Sequence, residues 1–301
     1  MKSVVLITGG SGMLAKHLAK HLDSQYSIRF LTRKKTSSND YLWDIKKKFI
    51  DPKALIGVDY IIHLAGSSIA NKRWSKKRKE DILSSRVDSA HLILEKLKEN
   101  KITIKIFISA SAVGFYGTKT TEKIYTEESP KGNDFLSYVC GQWENTAFSF
   151  RSNNIADKVS IVRIGVILAK DEGALKKIVQ PIKYSLGSLI GKGTQYMPWI
   201  HISDLCGIIK FLLENKKANG IFNAVAPNHI TNKDLTKEIA KQLHRKLILP
   251  NIPRFIIQGL FGEMAMILLE GSRVSSDKIL KYGFKFEYNN LSKALNNLIK
   301  K

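Results

Sequence analysis

Near the start of the chain, "TGGSGMLA" sets Gly9, Gly12 and Ala15 at the spacing G-x-x-G-x-x-A. An apolar run precedes it and a helical pattern follows, which is the context this spacing needs. Glycine lets the backbone approach a pyrophosphate closely, and the helix N-terminus offers free N–H groups and a positive dipole end to the phosphates. The third position sets how closely helix packs on strand. Here it is Ala15, one methyl larger than the usual glycine. The next apolar run ends "FLTRKK". An acid at that point would accept from a ribose 2′-hydroxyl. Arg33, followed by Lys34 and Lys35, instead offers a guanidinium fork to a 2′-phosphate. The spacing therefore predicts a dinucleotide cofactor, and the arginine predicts NADP(H) in preference to NAD(H).

The elements that must position these groups can be read along the chain. "VVLITGG", "SIRFLTR", "VDYIIHLAG", "IKIFISAS" and "KVSIVRIGVIL" are strand-like, and "GIFNAVAP" is a late strand. Between them, Leu14, Leu18 and Leu22, then "DILSSRVDSAHLILEKLKEN" and "DFLSYVCGQWENTAFSF", repeat at helical spacing. Strands alternating with helices predict βαβ units and a Rossmann-type, doubly wound parallel α/β sheet. "NKDLTKEIAKQL" reads as a capped helix, and the run "FIIQGLFGEMAMILL" as a buried helix too short to span a bilayer. The expected division is residues 1–248 as the nucleotide-binding domain, with a substrate segment at about 165–205, and residues 249–301 as a small, mainly helical C-terminal substrate-side subdomain.

Of the 301 residues, 44% are hydrophobic, enough for a full core. Two cysteines, Cys140 and Cys206, give neither a disulfide framework nor a zinc spacing, so no metal is expected and a reducing, cytoplasmic setting fits. No secretory leader is read in "MKSVVLITGG" and no membrane partner is expected. The net charge of +23 comes from lysines scattered along the whole chain. The densest cluster, "KRWSKKRKE", has only Trp74 for stacking, so nucleic acid is not the expected partner.

"ITGGSGMLA", "IIHLAG" and "ISASAVGFYG" resemble the short-chain dehydrogenase/reductase superfamily in its extended, epimerase-like branch. "LAGSSIANKRWSKKRKEDILSSR", "EGALKKIV", "MPWIHISDL", "NAVAPNHITN" and "LLEGSRV" are similar, more narrowly, to an NAD(P)-dependent epimerase/dehydratase-like family without a settled substrate. The resemblance implies cofactor contacts at Gly9, Gly10, Ser11, Gly12, Met13 and Leu14, at Thr32 and Arg33, at Leu64, Ala65 and Gly66, and at Arg86. It implies that Ser111 polarises a substrate oxygen, and that Tyr116 and His201 lie on the substrate side. Arg163, at a strand end, is expected to meet an anionic substrate. Asp204 is expected to cap the following helix.

In the superfamily a tyrosine exchanges a proton with the substrate, and a lysine four residues on lowers its pKa. No lysine occurs between Lys131 and Lys158. Tyr138 is followed at that spacing by Gln142, and Cys140 by Glu144. The apolar face of Phe135, Leu136, Val139, Trp143, Ala147 and Phe150 has Tyr138 on one flank and Cys140 on the other, so periodicity leaves both registers open. Tyr138 is the preferred one, since a phenol can still donate a proton. Lowering a tyrosine from ~10 to about 7 takes roughly 4 kcal/mol, which neither register visibly supplies. Two readings follow. One is an NADP(H)-dependent oxidoreductase or epimerase-like protein with a non-standard acid/base site. The other is a catalytically silent NADP(H)-binding or redox-sensing protein.

Overall fold

The structure, a computed structural model, describes residues 2–299. Met1, Lys300 and Lys301 of the expected domain spans lie outside the described residues. The chain begins β1 (Val4–Thr8), α1 (Met13–Leu22), β2 (Ser27–Thr32), β3 (Asp40–Asp44), β4 (Phe49–Ile50) and β5 (Val58–His63). It continues through α2 (Lys76–Glu99), β6 (Ile104–Ala112), β7 (Ile124–Tyr125), α3 (Phe135–Ser152), β8 (Ala156–Ile164) and β9 (Val166–Ala169). Next come α4 (Gly173–Lys183), β10 (Trp199–His201), α5 (Ile202–Glu214), β11 (Gly220–Ala224) and α6 (Asn232–Gln242). The last part holds α7 (Arg254–Phe261), α8 (Met266–Leu269), β12 (Arg273–Val274), α9 (Asp277–Lys281) and α10 (Leu291–Ile299).

Eight strands form one sheet in the order β11-β8-β6-β5-β1-β2-β3-β4, parallel except at the β3–β4 edge. The chain runs outward from β1 in one direction through β2 and β3, then returns to β5 and proceeds the other way. Such a reversal opens a crevice at the C-terminal ends of β1 and β5, where ligands bind in doubly wound sheets. Both sheet faces are covered, which is why the central strands are apolar throughout rather than alternating. Val5 and Ile7 face one layer with Leu18 of α1 and Ile208 of α5. Leu6 faces the other, with Ile93 of α2 and Phe150 of α3. That alternation is the period of two along a strand.

Side-chain caps fix the helix starts. Ser75 accepts from the Arg78 N–H at α2, Asp134 from the Ser137 N–H at α3, and Thr231 and Asp234 form a reciprocal capping box at α6. At α5 the cap is the His201 ring, whose Nδ1 accepts from the Ser203 N–H at 3.1 Å. Asp204, expected to be that cap, accepts instead from the backbone N–H groups of Glu287 and Tyr288, at 2.8 and 2.9 Å. It fastens the C-terminal segment to the sheet domain, a bond between residues 83 and 84 positions apart.

Two expectations about elements change. The edge strands β3 and β4 are not legible in the sequence, because "FI" is only two residues long and "DYLWD" is short and ends in an acid on each side. The run from Phe255 to Leu269 is not one buried helix. Gly262, with φ +59°, breaks it into α7, a 3₁₀ turn and α8. Phe255 and Leu260 on α7 are 71% and 61% exposed.

Candidate active site

The crevice is built around a buried hydroxyl. Thr8, at the end of β1, is fully buried, and its Oγ1 accepts from the backbone N–H groups of Leu64 and Ala65 at 3.0 and 2.9 Å. This pins the turn after β5 against the turn after β1, so the two loops at the mouth of the crevice are held as one piece. The sequence reading did not single out Thr8, although a polar residue ending an apolar strand is a signal of this kind.

Gly9 has φ +71°, and a Cβ there would lie 3.2 Å from the Leu64 carbonyl oxygen. Gly10 is pressed on the Phe30 ring, where a Cβ would come within 2.8 Å. Gly12 is different. Its φ of −75° and ψ of 152° suit any residue, it is exposed, and a Cβ would meet only the Gly9 carbonyl oxygen, at 3.0 Å. No side chain caps α1 and no acid stands in its first turn. The N–H groups of Met13 and Leu14 therefore begin a helix whose positive end faces the crevice beside the exposed Ser11. A glycine cradle, an uncapped helix start and a narrow β1–β5 gap fit a dinucleotide pyrophosphate. At the end of β2, Thr32 is buried and donates to the Lys34 carbonyl at 3.0 Å, while Arg33, Lys34 and Lys35 are exposed. Gly66 is exposed beside Arg86, whose Cζ would be 3.0 Å from a Cβ there. Arg86 donates to the carbonyls of Ile82 and Ser67 and lies over the Trp143 ring at 5.1 Å. Burial draws its pKa down to about 10.

The helix α3 is turned by Trp143. Its Nε1–H donates to His63 Nδ1 at 3.2 Å, and His63 Nε2 meets Ser89 Oγ at 2.8 Å. Burial pushes His63 down to about 3, so the ring is neutral, with its proton on Nε2. With Trp143 so placed, Ser137, Cys140, Glu144 and Ala147 face the sheet, and Tyr138 is 48% exposed on the opposite flank. The structure thus brings Cys140 and Glu144 to Ser111, and leaves Tyr138 and Gln142 away from it. The preference for Tyr138 is corrected in that respect.

Ser111 ends β6 and donates to Glu144 Oε1 at 2.6 Å. Glu144 is also clasped by Arg163 of β8, with Nε to Oε1 at 2.9 Å and Nη2 to Oε2 at 2.8 Å. Arg163 is 1% exposed and Glu144 4%. Burial works against the Arg163 charge, yet the bonds to Glu144 outweigh it and hold the guanidinium above its ordinary range. Arg163 Nη1 donates further to the Tyr116 hydroxyl at 3.0 Å, and that hydroxyl donates to Asn223 Oδ1 at 2.7 Å. Burial raises the Tyr116 phenol to about 12. Cys140 lies alongside, 4% exposed, and burial together with the Glu144 charge pushes its thiol up to about 12.

These bonds revise three expectations. Ser111 gives its proton to a carboxylate, Arg163 is already neutralised from within, and Tyr116 has both hydrogen bonds inside the core. His201 is likewise 1% exposed, stacked on Tyr288 with ring centroids 3.7 Å apart, and bonded to Asn297. Burial draws it down to about 4. Glu144 was named only by its spacing from Cys140, and its pairing with Arg163 was not foreseen. An arginine inside the apolar run "SIVRIGV" must find a buried acid, and Glu144 is an acid beside a helix's apolar face.

The 165–205 segment folds over the cradle. Gly173 packs on Met13, and His17 of α1 bonds Glu172 at 3.0 Å. A hollow of about 250 Å³ opens between this segment and the C-terminal part, lined by Thr120, Ile190, Lys192, Gln195, Arg254 and Glu270. Among the described residues no group of three or more His, Cys, Asp or Glu is placed to hold a metal ion.

Known proteins share this fold. Residues 5–224 match the model of the NAD dependent epimerase/dehydratase family, and residues 252–298 match a domain of unknown function, DUF1731. The epimerase family protein YfhF of Bacillus subtilis is 34% identical, with 98% of this chain and 97% of that one covered. The mouse epimerase family protein SDR39U1 is 31% identical, with coverage of 98% and 99%. A crystal structure of human SDR39U1 (isoform 2) with NADPH superposes with a TM-score of 0.88 at 29% identity, covering 98% of each chain. The sheet and the helical C-terminal part agree with these matches, and the chain belongs to the NAD dependent epimerase/dehydratase family.

Proposed function

We propose that this protein binds NADP(H) across the β1–β5 crevice and is an oxidoreductase or epimerase-like protein that works reductively, in a reducing compartment such as the cytoplasm. The observation that carries the reading is the uncapped glycine cradle, in a chain matched over 98% of its length by a relative crystallised with NADPH. Gly9, Gly10, Gly12 and the N–H groups of Met13 and Leu14 would hold the pyrophosphate, and Arg33 the 2′-phosphate. Leu64, Ala65 and Gly66 would border the adenosine half. Arg33→Ala should weaken NADPH roughly five- to a hundred-fold and NADH far less, read by cofactor fluorescence on titration. Equal losses for the two cofactors would remove the assignment.

Bound NADPH supplies a hydride to a carbonyl carbon. The chain's part is the proton for the carbonyl oxygen. Cys140 stands where the superfamily's tyrosine is expected: its S–H bond breaks as the O–H bond forms, and the thiolate regains a proton from solvent. A thiol near 12 can protonate an alkoxide, which is more basic still. It cannot serve as a base on an alcohol at pH 7, because ionising it there costs about 7 kcal/mol, five units above neutrality. Reduction is the direction this site supports.

Cys140→Ala should remove turnover in whatever carbonyl reduction a substrate screen finds, while Tyr138→Phe leaves it within about two-fold. Because the thiol stays protonated, the rate should be flat between roughly pH 6 and 9. Robust alcohol oxidation at neutral pH, or loss with Tyr138→Phe alone, would overturn the proton assignment. The second reading, cofactor binding without turnover, is favoured by one observation: Ser111, Glu144 and Arg163 satisfy one another and leave no donor aimed outward. Tight NADPH binding with no hit in the screen would select it.

A further inference from the structure

The break at Gly262 leaves α7 with an apolar face that no other element covers. Phe255 and Leu260 on that helix are 71% and 61% exposed, and Ile248 and Leu249, just before it, are 70% and 42% exposed. The stretch after α4 runs beside them. Ile190 bridges Ile252, the Ser188 hydroxyl bonds the Pro250 carbonyl, and Gly187 packs on Leu247. On that stretch Tyr184 and Leu186 are 68% and 61% exposed. With Ile256 of α7, 40% exposed, seven of the protein's large exposed apolar side chains thus come from two adjoining segments.

The charges on the two segments themselves have one sign. Residues 183–192 and 244–261 contain Lys183, Lys192, Arg245, Lys246 and Arg254, and no aspartate or glutamate. Among the described residues, Arg254 alone of these five forms an ion pair, with Glu270 at 2.7 Å. The combination separates the candidate occupants. A second copy meeting this face two-fold would set base against base with no acid between them. A nucleic acid would gain little from isoleucine and leucine, which do not stack as aromatic platforms do. An anionic lipid surface suits both halves: its headgroups attract the lysines and arginines, and its acyl boundary takes up the apolar side chains.

We infer that the face formed by α7 and the two segments beside it docks peripherally on an anionic membrane surface. No helix of the described residues is long and apolar enough to cross a membrane, so the contact is with the interface alone. The sequence by itself holds no apolar run long enough to span a bilayer, and so gives no sign of a membrane partner. A docking face shows only when α7 is seen to be uncovered.

The test is flotation of the full chain with vesicles of phosphatidylcholine alone and of phosphatidylcholine mixed with phosphatidylglycerol. Binding is expected to the mixed vesicles only. Phe255→Asp with Leu260→Asp should weaken it roughly ten-fold or more, and Lys246→Glu about five-fold, with NADPH affinity unchanged as the check on folding. Lys46→Glu with Lys47→Glu, an exposed pair in the β3–β4 turn, removes charge elsewhere and should lower binding much less. Equal loss in that control would mean a diffuse basic surface and would overturn the inference. So would absence of binding to mixed vesicles, or a concentration-dependent doubling of mass abolished by Phe255→Asp, which would assign the face to a second copy.

Discussion

Arg163→Met should destabilise the protein by about 3–5 kcal/mol, since it leaves Glu144 as a buried charge without its partner. The methionine fills much of the arginine's volume, so a cavity is not the cause. Glu144 would retain the Ser111 hydroxyl, at 2.6 Å, but lose both guanidinium bonds. Tyr116 would lose the donor to its hydroxyl as well. The measure is the urea midpoint, with the slope checked for a two-state transition. Pairing Arg163→Met with Glu144→Gln should recover part of the loss, because the uncompensated charge is then gone, and the cycle isolates the coupling. A loss under about 1 kcal/mol for the single variant would mean that water reaches the pair, against its near-complete burial.

Gly12→Val should abolish NADPH binding, by about a hundred-fold or more, and leave the fold standing. The backbone at Gly12 is extended, a conformation valine prefers, and the only neighbour a Cβ would meet is the Gly9 carbonyl oxygen at 3.0 Å. The rest of the side chain would occupy the space above the N-terminus of α1, where a pyrophosphate would approach the amides. Gly9→Val makes the instructive contrast: its φ of +71° penalises any side chain, so there the fold itself should suffer. The readout is calorimetric titration with NADPH alongside thermal unfolding of the unliganded protein. Retained binding in Gly12→Val would reduce "TGGSGMLA" to a structural turn.

The distance between these two results reflects what each kind of information carries. The glycine spacing, the apolar strands and the 3.6-residue periods are local properties. Each is governed by neighbours within a few residues, so the parallel sheet, the cradle after β1 and the helical C-terminal part could be read from order alone. The edge strands escaped because they are too short to show a period. The single buried helix expected over 255–269 failed for another reason: apolarity marks a segment as able to be covered, and whether something covers it depends on the rest of the chain.

Which face of α3 meets Ser111 was beyond sequence reasoning for a similar cause. Tyr138 and Cys140 flank the same apolar stripe, and helical geometry treats the flanks alike. Trp143 breaks the tie by bonding His63, 80 residues away, and that rotation carries Cys140 and Glu144 to Ser111. Glu144 in turn becomes tolerable only because Arg163 comes from the neighbouring strand to neutralise it. By itself the sequence determined that a glycine-rich turn follows β1 and that no lysine lies between Lys131 and Lys158. Only the tertiary structure decided that Glu144 meets Ser111 and Arg163 in the core. A buried charge is admissible solely where a distant partner meets it, and no local pattern records that meeting.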